Sequence, residues 1–281
     1  MKKFLSVLMA AAMLLSVCAL TACGGSNEPA PETEGTEVNE PAEGETAEFT
    51  TVNEGKLTMS TNAAFPPYEM TTDAGGYEGI DIEVAQAIAD KLGLELKVDD
   101  MDFDAALLAA QNGKSDMVMA GVTVTDDRLL VMDFSESYAT GVQVVIVPEG
   151  SDITSIDDLE GKMIGTQRGT TGYIYCSDTP ENGGYGEENV TAYDDGIAAV
   201  QALMNGQVDC VVIDKAPAQA FVAANPGLTI LDTEYAVEDY AIGVDKGNTA
   251  LLDAINAALE ELIADGTVQA IIDKYIPAEA E

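Results

Sequence analysis

The chain of 281 residues contains no histidine and only two arginines, Arg128 and Arg168. The lack of histidine excludes histidine-dependent catalytic triads, Cys–His pairs and zinc sites of the HExxH type. The sequence also has no phosphate-binding loop of the GxxxxGKS/T type and no GxGxxG after a predicted strand. Carboxylates are so abundant that no pair of them by itself indicates acid–base catalysis. We therefore expect neither a cofactor nor a metal ion.

Positive charge is scarce throughout the chain. Twelve Lys and Arg residues stand against 50 Asp and Glu residues, which gives a formal net charge of −38. Such a chain offers no basic patch for phosphate groups, so we expect no nucleic-acid partner. The acidic surface is typical of a protein that is soluble outside the cell.

The N-terminal residues have the pattern of an export signal. Two lysines precede an apolar run at about residues 4–17, which is too short for a comfortable membrane span. Leu-Thr-Ala-Cys at residues 20–23 then has the form of a lipobox, in which a small residue precedes a cysteine that receives lipid. We expect residues 1–23 to be a lipoprotein signal, with Cys23 as the lipid anchor on the extracytoplasmic face of the cell membrane. The alternative is a plain secretory signal with an incidental cysteine.

An acidic stretch follows the predicted signal. Residues 24–54 contain nine Glu and three Pro but no Lys or Arg. A segment with few apolar residues and charge of one sign cannot bury enough surface to fold, so we expect a disordered linker. From residue 55 onward, helix-like and strand-like segments alternate, and this part is long enough for two α/β lobes.

Cysteine is also rare in the part that is expected to fold. Only Cys176 and Cys210 remain once Cys18 is assigned to the signal and Cys23 to the anchor. Export makes a disulfide between the two permissible, and a pair of buried free thiols is the alternative. Two cysteines without any histidine do not indicate a metal site.

Two stretches of the chain resemble each other at an offset of 93 positions, namely residues 106–121 and residues 199–214. In each, an apolar-periodic helix stops at Asn-Gly, and a short apolar run typical of a buried parallel strand follows. The pattern places Gly121 and Asp214 at the carboxyl ends of strands, where open parallel sheets bind ligands. Chance similarity of two ordinary βαβ units is the alternative to two related lobes.

The order of the predicted elements indicates an α/β protein with two lobes, each a mostly parallel sheet with helices on both faces. The chain is expected to cross between the lobes at about residues 138–141 and again at about residues 236–240, and these two strands make a hinge. Lobe 1 then comprises residues 55–137 and 241–281, and lobe 2 comprises residues 142–235.

Arg128 is the first candidate for ligand binding. It follows Thr125, a predicted helix cap, just after the carboxyl end of a predicted strand. A guanidinium group there offers a two-pronged grip on a carboxylate, which lysine cannot reproduce. An arginine exposed on the surface is the alternative.

Further candidates follow other strands. Thr170 and Thr171 start a predicted helix, where hydroxyl and free N–H groups attract an anion, although a simple glycine-containing turn is the alternative. A buried Asp214 requires a cationic partner, and its alternative is a helix N-cap. Together with the carbonyl of Gly121 and with Thr123, Asp214 would hold an ammonium group. These groups and Arg128 together indicate a receptor for a zwitterion.

The chain resembles the amino-acid-binding lipoproteins of ABC importers, the family-3 extracellular solute-binding proteins. The resemblance covers residues 55–275 in family order, and its most specific part is AGVTVTDDR at residues 120–128. The other matching segments are residues 60–68, 79–83, 101–103, 133–135 and 212–214. The resemblance implies the type II periplasmic-binding-protein fold, in which hinge closure encloses the ligand.

The resemblance also implies roles for single residues. Arg128 is expected to grip the α-carboxylate and Asp214 the α-amine, while Phe65 and Phe103 flank the ligand side chain. The residue at position 62 is often acidic in relatives that bind glutamine or basic amino acids, whereas this chain has Asn62. The full expected ligand-binding set comprises Asn62, Phe65, Phe103, Ala120, Gly121, Thr123, Arg128, Gln167, Thr170, Thr171 and Asp214.

We therefore expect a monomeric receptor that captures a polar amino acid and passes it to a separate ABC permease and its ATPase. Asn62 and Gln167 favour a ligand with an amide or basic side chain. One alternative is an enzyme on the same fold, dehydratase-like or wall-cleaving, with Glu69 or Asp102 as its acid–base group. Another alternative is an amino-acid-sensing surface lipoprotein.

Overall fold

The computed structural model describes residues 49–277. The predicted signal, the lipidated Cys23 and the linker up to residue 48 lie outside the described residues. The strands are β1 (Lys56–Thr61), β2 (Ala64–Phe65), β3 (Glu69–Thr71), β4 (Tyr77–Glu78), β5 (Glu95–Asp100), β6 (Met117–Val118), β7 (Met132–Pro148), β8 (Ile164–Gln167), β9 (Val190–Tyr193), β10 (Cys210–Asp214), β11 (Leu228–Ile230) and β12 (Ala236–Asp245). The α-helices are α1 (Ile80–Leu92), α2 (Phe103–Gln111), α3 (Asp126–Val131), α4 (Thr171–Ser177), α5 (Gly196–Met204), α6 (Lys215–Ala224), α7 (Thr249–Ala264) and α8 (Thr267–Tyr275).

The main sheet has nine strands in the order β5-β1-β6-β12-β7-β10-β8-β9, with β11 also paired to β7. Strand β1 runs parallel to β5 and β6, and β8 runs parallel to β9 and β10. The long strands β7 and β12 pair antiparallel in the middle. The predicted α/β fold is confirmed, and the two parallel halves are joined edge to edge through this central pair.

The two crossings of the chain lie side by side in β7 and β12. Their register pairs Val142 with Val237 and Gly141 with Glu238, and it shifts beyond Tyr240. The predicted hinge ranges, residues 138–141 and 236–240, lie within these paired strands. Because backbone hydrogen bonds tie the two crossings together, they form one unit, and their rotation on closure stays a prediction.

The helices end where the sequence pattern indicates. Helix α1 buries one stripe of apolar residues and ends at Gly93, whose backbone is left-handed. Helices α2 and α5 end at the two Asn-Gly pairs, and Gly113 and Gly206 both have positive φ values, 60° and 67°. The C-terminal helical region contains two helices, α7 and α8, which are separated at Gly266, where φ is 83°.

The folded unit begins earlier than the sequence pattern indicates. The expected linker extended to residue 54, but Phe49 packs against the hydrophobic core. The Val52 amide N donates to Asp116 Oδ1 at 2.7 Å, which fixes this segment to β1 and β6. Composition did not reveal these contacts because one aromatic residue in an acidic stretch carries little weight in an average. Among residues 49–277, no helix has the length and apolar composition needed to cross a membrane.

Candidate functional site

A cavity lies between the two lobes. Most residues around it lie at or just beyond the carboxyl ends of β1, β5, β6, β8 and β10, or in the first turns of the helices that follow, as expected for an open parallel sheet. Phe65 and Glu69 lie instead on β2 and β3. Its lining consists of Asn62, Phe65, Glu69, Phe103, Ala120, Gly121, Thr123, Arg128, Gln167, Thr170, Thr171 and Asp214.

Arg128 is buried, with 7% of its surface exposed, so a freely solvated surface arginine is excluded. Thr125 Oγ1 accepts a hydrogen bond from the Arg128 amide N, which starts α3 as predicted. The guanidinium group of Arg128 donates to the carbonyl oxygens of Thr123, at 2.7 Å, and Gly169, at 3.1 Å. It also lies over the Phe103 ring. The guanidinium fork has five N–H donors, so these bonds leave donors for a carboxylate in the cavity.

Burial lowers the pKa of Arg128, and the charge of Glu238 is the largest opposing influence among its neighbours. Arginine remains protonated in proteins even when its pKa is lowered. The site therefore holds a positive charge that is separated from bulk water, and such a charge interacts strongly with an anion.

Asp214 ends β10, and its side chain does not cap the following helix, so the N-cap alternative is not realised. Its Oδ2 accepts a hydrogen bond from Gln143 Nε2 at 2.9 Å. Its Oδ1 is buried without a hydrogen-bond partner among the described residues. Burial raises the pKa of Asp214 well above its ordinary value, the charge of Glu238 raises it further, and the bond from Gln143 opposes the rise. A cation in the cavity would relieve both the unpaired oxygen and the cost of the buried charge.

Thr123 and Gly121 are held by carboxylates of the protein. Thr123 Oγ1 donates to Glu238 Oε2 at 3.0 Å, so its hydroxyl hydrogen is already used. The Gly121 amide N donates to Asp81 Oδ2 at 2.9 Å, which leaves the Gly121 carbonyl as the group available to an ammonium ion. All three ammonium acceptors expected from the sequence remain available, because the Thr123 oxygen can still accept a hydrogen bond while its hydrogen points to Glu238.

Asn62 and Gln167 meet across the cavity. Gln167 Nε2 in lobe 2 donates to Asn62 Oδ1 in lobe 1 at 2.9 Å. Asn62 Nδ2 in turn donates to the Met101 carbonyl at 3.0 Å. These hydrogen bonds join the two lobes. The side-chain oxygen Oε1 of Gln167 is left as the atom of the two amides that can accept a hydrogen bond from a ligand.

The aromatic walls and the two threonines complete the lining. Phe65 and Phe103 are both buried; the Phe65 ring stacks on Tyr68, and the Phe103 ring lies under the Arg128 guanidinium. The Thr170 hydroxyl caps α4 by accepting from the Tyr173 amide N at 3.4 Å, and it donates to the Gln167 carbonyl at 2.8 Å. Thr170 is therefore mainly a helix cap, whereas the buried Thr171 follows it as the first residue of the helix.

Glu69 lines the cavity with none of its surface exposed, and neither of its carboxyl oxygens has a hydrogen-bond partner of good geometry among the described residues. Burial raises the pKa of Glu69 well above its ordinary value, and the adjacent charge of Asp81 adds to the rise. Burial also raises the pKa of Asp81 to about 6, although hydrogen bonds from the Gly121 amide and the Tyr138 hydroxyl oppose the rise. Burial and the neighbouring Asp81 therefore both disfavour the ionised form of Glu69.

All eleven residues expected from the sequence line this one cavity, and their role in ligand binding stays a prediction. Glu69 was expected only as an acid–base group of the enzymatic alternative. Asp102, the other candidate for that role, is exposed. Gln143 and Glu238 were missed, although Gln143 begins the buried run of β7 and Glu238 lies between two exposed residues of β12. Burial of polar residues on an otherwise apolar strand face is the signal that could have identified them.

The two cysteines of the folded part are buried free thiols in one hydrophobic cluster of lobe 2. Burial raises the pKa of both thiols to about 12, so neither forms a thiolate at neutral pH. Among the described residues no group of three or more potential ligands forms a metal site. Arg168 is exposed beside Asp194 and is turned away from the cavity.

The family model described as "Bacterial extracellular solute-binding proteins, family 3" matches residues 57–278. The chain therefore belongs to this family and has the type II periplasmic-binding-protein fold. Proteins of this family bind solutes and are not enzymes, so the enzymatic alternative is rejected.

Individual relatives agree with this assignment. A protein named "Probable histidine-binding protein" from Neisseria gonorrhoeae is 33% identical over 99% of this chain and 97% of its own length. The "Arginine-binding extracellular protein ArtP" of Bacillus subtilis is 30% identical over 99% of this chain and 100% of its own length. Among solved structures, "An ancestral arginine-binding protein bound to glutamine" has a TM-score of 0.74 and 40% identity, covering 80% of this chain and all of that one.

Proposed function

We propose that this protein captures a basic amino acid outside the cell and delivers it to an ABC-type permease. One observation carries the proposal. Arg128 from lobe 1 and Asp214 from lobe 2 are both buried and line the same cavity. An α-amino acid satisfies both groups at once, with its carboxylate at the guanidinium fork and its ammonium at Asp214 Oδ1.

The position of these two groups on opposite lobes explains how binding drives closure. A ligand that contacts both lobes stabilises the closed arrangement by its differential affinity for it. Asn62 and Gln167 add a direct bond between the lobes at 2.9 Å. Closure also removes water, which strengthens the polar contacts around the zwitterion.

Glu69 supports a basic side chain over an amide. It is a buried carboxyl group in the cavity that lies beside Asp81, and neither of its oxygens has a hydrogen-bond partner of good geometry among the described residues. A guanidinium, ammonium or imidazolium group would allow Glu69 to ionise and would form a charge-assisted hydrogen bond. The relatives named above include a histidine-binding and an arginine-binding protein.

A glutamine-type amide side chain is the second candidate. The Gln167 side-chain oxygen Oε1 can accept from an amide, and Glu69 in its protonated form can donate to an amide oxygen. One related structure, the ancestral arginine-binding protein, is described as bound to glutamine. We place the amide second because it leaves no charge to pair with Glu69.

Isothermal titration calorimetry with L-arginine, L-lysine, L-histidine and L-glutamine tests the proposal. We expect the basic amino acids to bind more tightly than glutamine. Arg128→Lys should weaken every ligand by about tenfold to a hundredfold, because hydrogen bonds between charged groups contribute about 1.5–3 kcal/mol. The matched control is Arg168→Lys on the exposed surface, which should leave all affinities unchanged. Unaltered binding by Arg128→Lys would refute the carboxylate assignment.

Glu69→Gln tests the choice of side chain. We expect it to weaken arginine by about tenfold or more while changing glutamine by less than about threefold, because only a cationic side chain gains from the carboxylate. An equal loss for both ligands would mean that Glu69 contacts the common backbone part of the ligand. In that case the preference for basic side chains is wrong, and amino-acid binding itself still holds.

The membrane anchor and the partners belong to the same proposal. We propose a monomer anchored through lipid on Cys23, with the permease and its ATPase as separate chains. The lipobox at residues 20–23 and the acidic linker after it support this arrangement. In the native host, labelled palmitate should enter the wild type but not Cys23→Ala, whereas Cys18→Ala should remain labelled. Labelling that survives in Cys23→Ala would contradict the anchor.

A further inference from the structure

Glu238 is a buried carboxylate at the hinge that does not line the ligand cavity. It lies on β12 and is paired in register with Gly141 of β7, at the point where both crossings of the chain run side by side. A buried carboxylate is costly unless hydrogen bonds and nearby charges compensate it. The groups that contact Glu238 therefore indicate why it is there.

One oxygen of Glu238 joins groups from both lobes. Its Oε2 accepts from Thr123 Oγ1 of lobe 1 at 3.0 Å and from Gln143 Nε2 at 3.1 Å. The same Gln143 nitrogen donates to Asp214 Oδ2 of lobe 2 at 2.9 Å. An amide nitrogen has two hydrogens, so each carboxylate receives one of them. Both carboxylates would repel the amide oxygen, and this fixes the orientation of the Gln143 side chain.

This network controls the oxygen that would meet the ligand. With Asp214 Oδ2 held by Gln143, Oδ1 has no hydrogen-bond partner among the described residues, and Asp214 lines the cavity. If Glu238 were neutral, the second hydrogen of the Gln143 amide would lose its charged acceptor, and Gln143 would no longer be held in one position. Asp214 would then lose the only side-chain donor that it has among the described residues.

We propose, on the basis of the proposed amino-acid binding, that Glu238 is a positioning residue. Through Gln143 it holds Asp214 where the ammonium group of the ligand binds, and through Thr123 it connects this contact to lobe 1. Occupation of Asp214 by an ammonium group thereby stabilises the hinge pair in its closed arrangement. The charge of Glu238 also acts on both Arg128 and Asp214, so it influences both ends of the zwitterion.

The test is a thermodynamic cycle that combines a variant of the full chain with removal of one ligand group. L-arginine is compared with 5-guanidinopentanoate, which lacks only the α-ammonium group, on the wild type and on Glu238→Gln. If the wild type binds glutamine and not arginine, L-glutamine and 4-carbamoylbutanoate replace this pair. Removal of the ammonium group from the ligand should lower the affinity of the wild type by a certain factor. We expect this factor to be about tenfold smaller in Glu238→Gln, which is a coupling within the usual range for residues of one hydrogen-bonded network.

Gln143→Leu provides a second variant that breaks the same connection without removing a charge. It should reduce the contribution of the ammonium group by a similar factor, and the double variant should lose no more than either single variant. Asp239→Asn is the matched control, since Asp239 is the exposed acidic neighbour on the same strand. It should leave the cycle unchanged. Thermal unfolding of every variant shows which of them fold. If Glu238→Gln does not fold, the cycle measured on Gln143→Leu decides the test.

The possible outcomes separate the two proposals. If the wild type binds none of these amino acids, the proposed function fails. If the wild type binds but both variants weaken the two ligands of a pair equally, Glu238 has no connection to the ammonium contact and the inference is overturned. A larger ammonium contribution in Glu238→Gln would also overturn it, because Glu238 would then act only as a repelling charge on Asp214.

Discussion

At the residue scale, Asp81 fixes the backbone at the edge of the ligand cavity. Its two oxygens accept hydrogen bonds from the Tyr138 hydroxyl at 2.8 Å and from the Gly121 amide at 2.9 Å. Gly121 itself has a left-handed backbone with φ of 53°. Both features direct the Gly121 carbonyl, so the acceptor expected for an ammonium group depends on a buried carboxylate behind it.

Gly121→Ala should reduce amino-acid affinity by about tenfold. A Cβ atom at Gly121 would lie 2.9 Å from Phe65 Cε1, so the aromatic wall of the cavity would have to move. Calorimetric titration measures the effect. Gly93→Ala is the control, because Gly93 is also left-handed but has open space around it. That control should lose about 1–2 kcal/mol of stability without losing affinity, and equal affinities for both variants would contradict the crowding argument.

Asp81→Asn should change how stability depends on pH. The pKa of Asp81 is raised to about 6 in the folded protein, whereas in the unfolded chain it is about 4. As pH rises from 4 to 7, the unfolded chain releases this proton first, so ionisation of Asp81 lowers the stability of the fold. The free energy of unfolding of the wild type, minus that of Asp81→Asn, should fall by about 2 kcal/mol over this range. Urea titrations at each pH measure it, and a constant difference would contradict the assignment.

At the element scale, the paired strands β7 and β12 determine both the topology and the hinge. They join the two parallel halves of the sheet and contain both predicted hinge ranges. Gly141 lies in this pair with the ring of Tyr240 directly over it, in the space that a Cβ atom would occupy. The close approach of Tyr240 therefore requires glycine at this position, although the backbone of Gly141 is ordinary.

Gly141→Ala should lower the free energy of unfolding by about 1–3 kcal/mol, because overpacking against the buried Tyr240 ring forces the two strands apart. It should also weaken ligand binding, since β12 carries Glu238 opposite Gly141. Gly76→Ala is the matched control in a loop, where no atom lies closer than 3.5 Å to the added Cβ. Denaturant unfolding and calorimetry measure both effects. Stability equal to that of the control would show that the ring moves aside at no cost.

At the scale of the whole molecule, the start of the folded unit depends on contacts distant in sequence. Phe49 packs on the core, and the amide of Val52 is bound to Asp116, which is 64 positions away. Asp116 also accepts from the Thr58 amide at 2.6 Å, so one carboxylate joins the N-terminal segment to β1. Residues 49–54 are thus part of the domain, despite their composition.

A chain that starts at residue 55 should be less stable than one that starts at residue 49, by about 1–3 kcal/mol, because the core loses Phe49 and Asp116 loses a partner. Phe49→Ala should reproduce part of this loss. Val52→Ala, which shortens an exposed side chain and keeps the amide, should not. Thermal and denaturant unfolding measure all four proteins, and equal stability of the two truncated chains would contradict a domain boundary at residue 49.

Local sequence pattern was sufficient for most elements and for the site. The apolar stripe of α1, the Asn-Gly helix ends and the Thr125 cap all follow from interactions within a few residues. The eleven lining residues could be predicted because strand ends of a parallel α/β fold converge at one edge, and because residues 120–128 are so specific to the family. Glu69, Gln143 and Glu238 could not be assigned in this way, since their partners lie on other strands.

By itself, therefore, the sequence determined the α/β class, the two crossings and the residues that face the cavity, because periodicity, caps and family motifs are local. Only the tertiary structure decided that Thr123 is bound to Glu238, that Thr170 caps its own helix and that burial raises the pKa of Glu69. These properties depend on distances and burial between segments far apart in the chain. The free energies of a hydrogen bond and of an ionised group are set by that environment, and no pattern of neighbouring residues specifies it.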